Sequence, residues 1–545
     1  MIESIVIENF QSLRDPVEIP LAPVTLVYGP NSAGKSALLD ALNFVHAIFT
    51  EDSEKCRSLA ARYAHMLESN SSQLPIKIRI RGRARLFDWN SVSCINLRNR
   101  SRFVEASDDE FYEIWEPKDS VISEGFGDVH IEWCIECWPR VQDAYDALRS
   151  LSINVNGCPA LLLEVEDDES INVCLSFDPK VFGPTFTDLA RQYKVKPGKD
   201  GSYYLRVDLE TRPLRVIKSD VNLDRKPFFE TMTVLANWLF ERTAEILAPP
   251  VIVSADRGVI DDRELIVFAA ENGRTGLPQS FTSLPDRELL SKEMLTGSRS
   301  SIIERMAIAR LREDFGSKYS LGTLTREPID HFVNRCLVDH LFLDVGYQVR
   351  FDVCEVLPAV GTSGAVPNKT LSDRPMRAAL LLCYLTDRDG RQLTFQDVGT
   401  GISCVLPVLG ALYTGFSFVQ QPELHLHPAL QAALADVAIE TANRLNEADY
   451  TWEKGRRGNV CHILETHSEY LLLRCLKRIR QTTLGMHPDN SPLRLMPEQI
   501  SVLYFDPRSD GTTRVRRIRV TEDGDFIDRW PQGFFEERGR ELFDE

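Results

Sequence analysis

The hydrophobic positions at the start of the chain predict two strands, a loop and a helix. The segments SIVIENF (4–10) and VTLVYG (24–29) are rich in β-branched residues, which favours strands. The segment SALLDALNFVHAIF (36–49) carries apolar residues at helical spacing. The chain therefore opens with strands that lead through a short loop into a helix.

The middle of the chain has a different pattern. From 75 to 216, short segments such as IKIRIRGRARLF and SYYLRVDL alternate apolar with polar residues, which predicts an antiparallel β portion. Helical spacing follows at 227–247 and again from Asp286 to Phe315. Buried-strand and helix patterns return near Leu393 and continue to about Leu484, and more strands begin at Ser501.

These patterns predict an α/β head that a long insertion divides. The N-terminal part of the head, with the antiparallel portion, spans 1–220. A mainly helical insertion spans 221–385, and the C-terminal part of the head spans 386–545. A mostly parallel sheet is expected where strands alternate with helices.

Composition narrows the class of protein. The 545 residues include 43% hydrophobic and 26% charged ones, as in a globular protein of two to four domains. The net charge of −17 argues against non-specific coating of nucleic acid, which needs concentrated positive charge. No apolar stretch approaches the ~18 residues that suggest a membrane span, so we expect a cytoplasmic protein without membrane contact.

The segment GPNSAGKS (29–36) fits the phosphate-loop pattern of a glycine, four residues, and then Gly, Lys and Ser. A predicted strand precedes it and a predicted helix follows, so backbone amides at the helix start can hold phosphate. Lys35 is suited to the terminal phosphates of ATP and the Ser36 hydroxyl to Mg²⁺. The alternative is a glycine-rich turn before a core helix. The candidate ATP contacts are Gly29, Pro30, Asn31, Ser32, Ala33, Gly34, Lys35 and Ser36.

Three further junctions in the second half combine a strand or loop, a polar cluster and a helix. They are QDVGTGISCVLPVLGAL (396–412), FSFVQQPELHLHPALQAALADV (416–437) and VCHILETHSEYLLLRCL (460–476). Such junctions are expected where parallel strands present their carboxyl ends to a ligand. Two of them supply candidate phosphate contacts. In the third junction, His467 follows a strand end. In the first, a helix begins with Gly399, Gly401 and Ser403, and this helix start is either a second anion site or an ordinary capped helix.

The order GPNSAGKS, VGTGIS, QQPELHLHP and ETHSEYLLLR resembles the ABC-type ATPases of the overcoming-lysogenization-defect (OLD), RecF and SMC branch. The segment GDFIDRWPQGFFEE (524–537) resembles the C-terminal module of one bacterial subgroup. The resemblance implies an ABC-type ATPase head with ATP and Mg²⁺ as cofactors. It also implies a homodimer or higher oligomer of facing heads, with His467 as the switch histidine. Across that interface, one chain would contact the γ-phosphate bound at Lys35 of the partner subunit through Gly399, Gly401 and Ser403.

The sequence departs from this branch at QQPE, where relatives normally carry Asp and then Glu. Gln420 occupies the position that orients Mg²⁺, and Gln421 the position that polarises the attacking water. An amide can hydrogen-bond water, but it is no base and brings no charge. We therefore expect ATP hydrolysis to be slow, by about 10²–10⁴-fold, unless the nearby Glu423 substitutes.

The resemblance also bears on partners. OLD proteins carry a nuclease domain after the ATPase, and the segment after His467 is too short for one. The sequence also resembles the PtuA ATPases of Septu and retron anti-phage defence, and this resemblance implies a separate HNH-type (PtuB-like) nuclease. In the retron form, a reverse transcriptase and its DNA–RNA product join as well. The alternatives are a RecF-like DNA-repair or chromosome-maintenance ATPase and a non-hydrolysing structural ATP-binding protein.

One segment is suited to contact with nucleic acid or a partner. In IKIRIRGRARLF the basic residues occupy odd positions, so on a strand they share one face. Like charges on one strand face repel one another, which favours an anionic partner. The alternative is a solvated face paired with the acidic run from Asp108 to Glu116. The candidate contacts are Lys77, Arg79, Arg81, Arg83 and Arg85.

Overall fold

The computed structural model describes most of both ends of the chain and parts of its middle. The described residues are 2–50, 53–63, 74–87, 101–106, 110–115, 126–137, 148–167, 170–177, 188, 190–198, 203–211, 214–219, 232–233, 236–237, 239–240, 243–244, 246–256, 266–269, 329–355, 378–447, 460–488 and 491–531. Within them, no helix is both long and apolar enough to cross a membrane.

The strands come in four groups along the chain. The first holds β1 (Ile2–Glu8), β2 (Val17–Pro20), β3 (Val24–Tyr28) and β4 (Ile76–Phe87). The second holds β5 (Ser101–Ala106), β6 (Glu110–Trp115), β7 (Phe126–Cys137), β8 (Leu148–Val155), β9 (Cys158–Asp167), β10 (Ser170–Phe177), β11 (Tyr203–Thr211) and β12 (Leu214–Ser219). The third holds β13 (Val251–Val253), β14 (Ile266–Ala269), β15 (Gln348–Glu355), β16 (Ala378–Thr386) and β17 (Gln392–Leu393). The last holds β18 (Phe416–Gln420), β19 (Cys461–Glu465), β20 (Ile500–Pro507) and β21 (Thr513–Ile518).

The helices lie mainly beside the strands of the two chain ends. Within the described ranges they include α1 (Ser36–Thr50), α2 (Ser53–Tyr63), α3 (Ile329–Cys336), α4 (Thr400–Tyr413), α5 (Pro428–Glu447) and α6 (Glu469–Thr483). A π-helical turn, Leu337–Leu341, continues α3, and a 3₁₀ turn, Pro497–Gln499, leads into β20.

A six-stranded sheet with the order β13-β18-β19-β3-β20-β21 forms the centre of the head. Its strands run parallel except β21, which is antiparallel to β20. Successive residues of β19 enter different cores: Ile463 packs with α1 on one face, and Leu464 packs with α4, α5 and α6 on the other. Burial on both faces explains why these strands read as continuous apolar runs.

The predicted antiparallel portion is confirmed. Nine strands make a sheet with the order β12-β11-β10-β9-β8-β7-β4-β1-β2. Alternation sets its faces, because Ile76, Ile78 and Ile80 of β4 are buried and the basic residues between them are exposed. The N-terminal part of the chain thus contributes to both sheets of the head.

In the predicted mainly helical insertion at 221–385, the described residues include both helix and strand, and those between 232 and 246 are largely helical. Within that range, β13 is an edge strand of the central sheet, paired in parallel with β18. Strands β14, β15 and β16 form a second antiparallel sheet with β17. A three-residue strand is too short to show periodicity, and the apolar run of β16 does not distinguish strand from helix. The predicted helix at 286–315 lies outside the described residues.

The register of the central sheet aligns three strand ends that the site uses. Gln420, the last residue of β18, lies opposite Glu465, the last residue of β19. Glu465 in turn lies opposite Val27 of β3. Because parallel strands end at the same edge, the residues after β3, β18 and β19 converge there. We call this the nucleotide edge.

Candidate nucleotide-binding site

The loop after β3 has the curled backbone of a phosphate-binding loop. Gly29 and Gly34 have φ values of +142° and +80°, and Ser32 between them has +64°. A side chain at Gly29 would collide with the carbonyl oxygen of Phe505, and one at Gly34 would collide with the hydroxyl of Ser12. Both positions therefore require glycine, both for the backbone conformation and for space. This geometry accords with the phosphate-loop motif of the sequence.

Lys35 folds back into this loop. Its side chain is 5% exposed, and its Nζ donates to the carbonyl oxygens of Gly29 at 3.0 Å and Pro30 at 2.9 Å. The same Nζ lies 3.6 Å from Oε1 of Glu465. A cation enclosed by a glycine-rich loop at a helix start suits the β and γ phosphates of ATP.

Two segments distant in sequence brace the loop. The Thr513 hydroxyl, at the start of β21, lies within hydrogen-bond distance of the carbonyl oxygen of Ala33, at 3.0 Å, and of the Ser12 hydroxyl, at 2.9 Å. The Thr513 N–H donates to the carbonyl oxygen of Ser12 at 2.8 Å. The loop is thereby tied to the β1–β2 connection and to the β20–β21 hairpin, which fixes its shape before a ligand arrives.

The two glutamines lie at the end of β18, as the sequence places them. The Gln420 side-chain oxygen accepts from the Ala255 N–H at 3.3 Å, and its Nε2 lies 3.4 Å from Oε2 of Glu465. Gln421 has a φ of +45°, and its N–H donates to the carbonyl oxygen of Glu465 at 2.7 Å. The end of β18 therefore brings polar oxygens to the nucleotide edge but no charge.

Glu423 is the predicted substitute for the missing carboxylates, and in the structure its side chain connects two turns. One oxygen accepts from the Thr466 hydroxyl at 2.7 Å, and the other accepts from the His467 N–H at 2.8 Å. Hydrogen bonds to a charged acceptor are about twice as strong as neutral ones. Glu423 thus connects the turn after β18 to the turn after β19, and each of its two carboxylate oxygens accepts one of these hydrogen bonds.

His467 lies on that turn with an exposed side chain. The next residue, Ser468, caps α6 by accepting from the Leu471 N–H. Tyr28, the last residue of β3, donates its hydroxyl to the carbonyl oxygen of Ser468 at 3.1 Å. Burial raises the pKa of Tyr28 well above its usual value, so the hydroxyl remains a donor at neutral pH. The switch role of His467 stays a prediction.

The prediction for Ser403 is wrong in one respect. Helix α4 begins at Thr400, with Gly399 as its N-cap, and Ser403 on the inner side of the first turn is 0% exposed. A hydroxyl packed in the core cannot reach a partner's phosphate from this position. Gly399 and Thr400 are exposed and Gly401 is partly so, which makes Thr400 the hydroxyl at the helix start. The helix phase places the Thr400 side chain at the surface and the Ser403 side chain in the core.

Glu465 is the site residue that the sequence reasoning missed. Its side chain is 13% exposed and lies between Lys35 and Gln420. A search of every predicted strand end for carboxylates would have found it, since Glu465 stands two residues before His467. Its nearness to Lys35 depends on β19 lying between β18 and β3, and sequence order does not reveal that.

The predicted basic face of β4 is present in the structure. Carboxylates on the flanking strands β1, β2 and β7 pair with its cations, as in Arg81 with Glu132 at 2.8 Å. The side chains of the acidic run from Asp108 to Glu116, the alternative partner expected from the sequence, lie outside the described residues. The side chain of Arg85 lies outside the described part of the chain. The other described pairs are Lys77–Glu8 at 4.0 Å, Arg79–Glu132 at 3.9 Å, Arg81–Glu18 at 3.6 Å and Arg83–Glu3.

The C-terminal segment contacts the strand that leads into the phosphate loop. The Trp530 ring packs edge-on against Tyr28, with ring centroids 5.5 Å apart, and also against Tyr504 of β20. Asp528 accepts from the Arg519 guanidinium, which lowers the pKa of that carboxyl to about 2. This segment therefore packs against the carboxyl ends of the central strands.

Three family models match parts of the chain. Residues 1–118 match "AAA ATPase domain", and residues 299–474 match "AAA domain, putative AbiEii toxin, Type IV TA system". Residues 495–544 match "Protein of unknown function (DUF3696)". No curated protein sequence matches the chain.

Among solved structures, SMC head domains are similar over most of the chain at low identity. The SMC head bound to the C-winged helix domain of ScpA is 12% identical, over 95% of this chain and 98% of that one, with a TM-score of 0.39. The SMC head from Thermotoga maritima is 9% identical, over 95% of this chain and 99% of that one, with a TM-score of 0.35. The SMC head from Pyrococcus furiosus with an extended coiled coil is 12% identical, over 95% of this chain and 96% of that one, with a TM-score of 0.34.

The two ATPase models match the two parts of the chain that the central sheet joins. The first part holds the phosphate loop and the second holds α4, the β18 end and the β19 end. The predicted α/β head with parallel and antiparallel sheets is confirmed. At the level that these matches show, two separated parts of the chain are similar to AAA-type ATPase domains, and the central sheet joins them.

Proposed function

We propose that this chain binds ATP with Mg²⁺ at the phosphate loop and acts as a slowly hydrolysing, nucleotide-gated head. The observation that carries this proposal is Lys35, a nearly buried cation held inside a loop whose conformation requires glycine at two positions. A buried ammonium that contacts backbone carbonyls can exchange them for phosphate oxygens, which are stronger acceptors because they are charged.

The residues present fit the cofactor pair. Lys35 would hold the β and γ phosphates, and the amides at the start of α1 would surround them. Mg²⁺ prefers oxygen ligands and keeps several waters, and the Ser36 hydroxyl and the Gln420 amide oxygen are the candidates to face it. When bound, Mg²⁺ would neutralise charge on the phosphates.

Slow hydrolysis follows from the end of β18. Gln421 can orient a water molecule by hydrogen bonding, but its amide cannot accept the proton that an attacking water loses. Glu423 is engaged with Thr466 and His467. Slow turnover would leave ATP bound long enough to act as a gate between states of the head.

The exposed start of α4 supports association of two heads. Gly399, Thr400 and Gly401 offer backbone amides and a hydroxyl at the surface, as a helix N-terminus that receives an anion would. We infer that they cap the nucleotide of a second copy, in a homodimer or higher oligomer. ATP-dependent association should therefore be weakened by Thr400→Arg.

For the biological setting, we propose a bacterial anti-phage defence complex with a separate HNH-type nuclease as effector. The sequence resemblance to PtuA ATPases supports it, and a retron form would add a reverse transcriptase and its DNA–RNA product. The description of the model that matches 299–474 names a toxin of a toxin–antitoxin system, which also fits a protein that works with a dedicated partner. Co-purification of an HNH-type nuclease co-expressed with this chain, with and without ATP, tests this setting.

ATP binding by the full chain tests the core of the proposal. Lys35→Ala should reduce the affinity for a fluorescent ATP analogue by at least about 100-fold, because it removes the one mobile cation in the loop. The exposed Lys77→Ala is the matched control and should bind as the parent does. Equal binding by Lys35→Ala and the parent would refute the assignment of this loop.

A further inference from the structure

Glu465 lies at the middle of the nucleotide edge. Its strand, β19, runs between β18, which ends in the glutamines, and β3, which leads into the phosphate loop. Its Oε1 lies 3.6 Å from Nζ of Lys35, and its Oε2 lies 3.4 Å from Nε2 of Gln420. One carboxylate therefore contacts both the cation of the loop and the amide that stands where relatives carry an aspartate.

The backbone of Glu465 is fixed on both sides. Its carbonyl oxygen accepts from the Gln421 N–H at 2.7 Å, and the N–H of the next residue, Thr466, donates to the carbonyl oxygen of Val27 at 3.0 Å. The two preceding side chains, Ile463 and Leu464, are buried in the two cores. A carboxylate on such a strand end is held in place before any ligand binds.

The charge of Glu465 matters because the end of β18 is neutral. Among the described residues, the ion pairs of Lys35 are confined to Glu465. A metal-bound water is best held by an anionic acceptor, and such outer partners contribute about 10–100-fold to metal affinity. Gln420 can accept a hydrogen bond from that water without supplying charge. The charge missing from β18 is thus present one strand away.

We propose that Glu465 supplies the carboxylate of the magnesium site, holding metal-bound water beside Gln420 and Ser36 in place of an aspartate at the end of β18. This rests on the proposed ATP site and deepens it. Glu465 is a positioning residue in this arrangement, since it acts through water rather than on the phosphate. Lys35 would move from Glu465 and the loop carbonyls to the phosphates.

A purely structural role for Glu465 gives a different pattern of binding. If the carboxylate only neutralises Lys35, its removal frees the cation, and ATP binds more tightly without Mg²⁺ while the response to Mg²⁺ is unchanged. If it holds metal-bound water, its removal weakens that response. The dependence of ATP affinity on Mg²⁺ separates the two roles without measuring turnover.

The experiment is a Mg²⁺ titration of ATP-analogue binding by the full chain, followed by fluorescence anisotropy, with a parallel measurement in EDTA. We expect Glu465→Gln to raise the Mg²⁺ concentration needed for half-maximal tightening by about 10–100-fold, with affinity in EDTA no weaker than that of the parent. Glu465→Asp should remain near the parent. Glu469→Gln, which removes a nearby carboxylate on α6, is the matched control and should behave as the parent does.

A relocated charge completes the test. Gln420→Asp combined with Glu465→Gln moves the carboxylate to the opposing strand end, and it should recover most of the lost Mg²⁺ response. An unchanged Mg²⁺ response in Glu465→Gln overturns the inference and leaves ATP binding standing. If Glu465→Gln fails to bind ATP at all, recovery in the double variant supports the inference and continued failure overturns it. A parent chain that does not bind ATP overturns the proposed function together with this inference.

Discussion

The nucleotide edge and the basic face of β4 carry their charges in opposite ways. Among the described residues of the nucleotide edge there is one ion pair, Lys35 with Glu465, whose side chains are only 5% and 13% exposed. On β4 several cations are exposed, and carboxylates of neighbouring strands pair with them. A buried pair is costly to isolate from water, whereas an exposed pair contributes about 0–1 kcal/mol.

The difference shows that the number of charges is a weak guide to a binding site. The basic run of β4 is prominent in the sequence, yet its face is largely neutralised within the sheet. The nucleotide edge shows few charges, but strand ends and glycine-dependent turns hold them in fixed positions. Burial and fixed geometry therefore single out the nucleotide edge as the place for chemistry.

Adding a carboxylate to the nucleotide edge should have the largest effect. Gln421→Glu supplies a carboxylate that can act as a base, and it should raise ATP turnover by about 10²–10⁴-fold. Phosphate release under single-turnover conditions measures the change. Glu423→Gln is the comparison, since it should loosen the tie to His467 without supplying a base. Turnover that does not rise in Gln421→Glu would mean that the missing base does not limit hydrolysis.

Altering the loop itself should have the next largest effect. Gly34→Ala places a side chain at a φ of +80° against the Ser12 hydroxyl, which costs about 1–3 kcal/mol and should lower ATP affinity by about 10–100-fold. Gly485→Ala is the control, because Gly485 also has a positive φ of +64° but has open space around it. Its ATP affinity should equal that of the parent. Equal losses in the two variants would contradict the steric account.

Reversing charges on the basic face should have the smallest effect on ATP. Arg79→Glu, Arg81→Glu and Arg83→Glu together place carboxylates opposite Glu132 and Glu3, so the free energy of unfolding should fall by about 1–3 kcal/mol. ATP affinity should survive. Urea unfolding and ATP binding on one variant measure both quantities.

The same variant tests binding to nucleic acid. If this face holds phosphates, DNA or RNA affinity should weaken, and the slope of its salt dependence should fall by about one unit for each phosphate that the variant no longer neutralises. Unchanged nucleic-acid affinity would show that this face forms ion pairs within the sheet and does not bind nucleic acid. The swapped pair Arg81→Glu with Glu132→Arg should recover part of the stability, because it restores opposite charges across β4 and β7.

Local patterns predicted the parts of the site that depend on neighbouring residues. The helix expected at 36–49 is α1, Ser36–Thr50, and the phosphate loop lies directly before it. The alternation of β4 correctly separated its buried isoleucines from its exposed cations. In these cases the spacing of side chains along one element, or one short loop motif, is enough to predict the local structure.

The rest depends on relations between distant segments. Glu465 meets Lys35 only because β19 enters the sheet next to β3, and strand order is not visible in one sequence. The ion-pair partners of β4 come from β1, β2 and β7, at distances along the chain that alternation cannot specify. Burial of Ser403 likewise depends on which side of α4 faces the core.

The most direct test of the central claim is an experimental structure of the full chain with a non-hydrolysable ATP analogue and Mg²⁺. We predict that the phosphates lie in the loop from Gly29 to Ser36, and that Nζ of Lys35 has left the carbonyl oxygens of Gly29 and Pro30 for phosphate oxygens. We also predict Glu465 within hydrogen-bond reach of a metal-bound water. A nucleotide bound elsewhere, or a Lys35 that keeps its carbonyl contacts beside bound phosphate, would contradict the account.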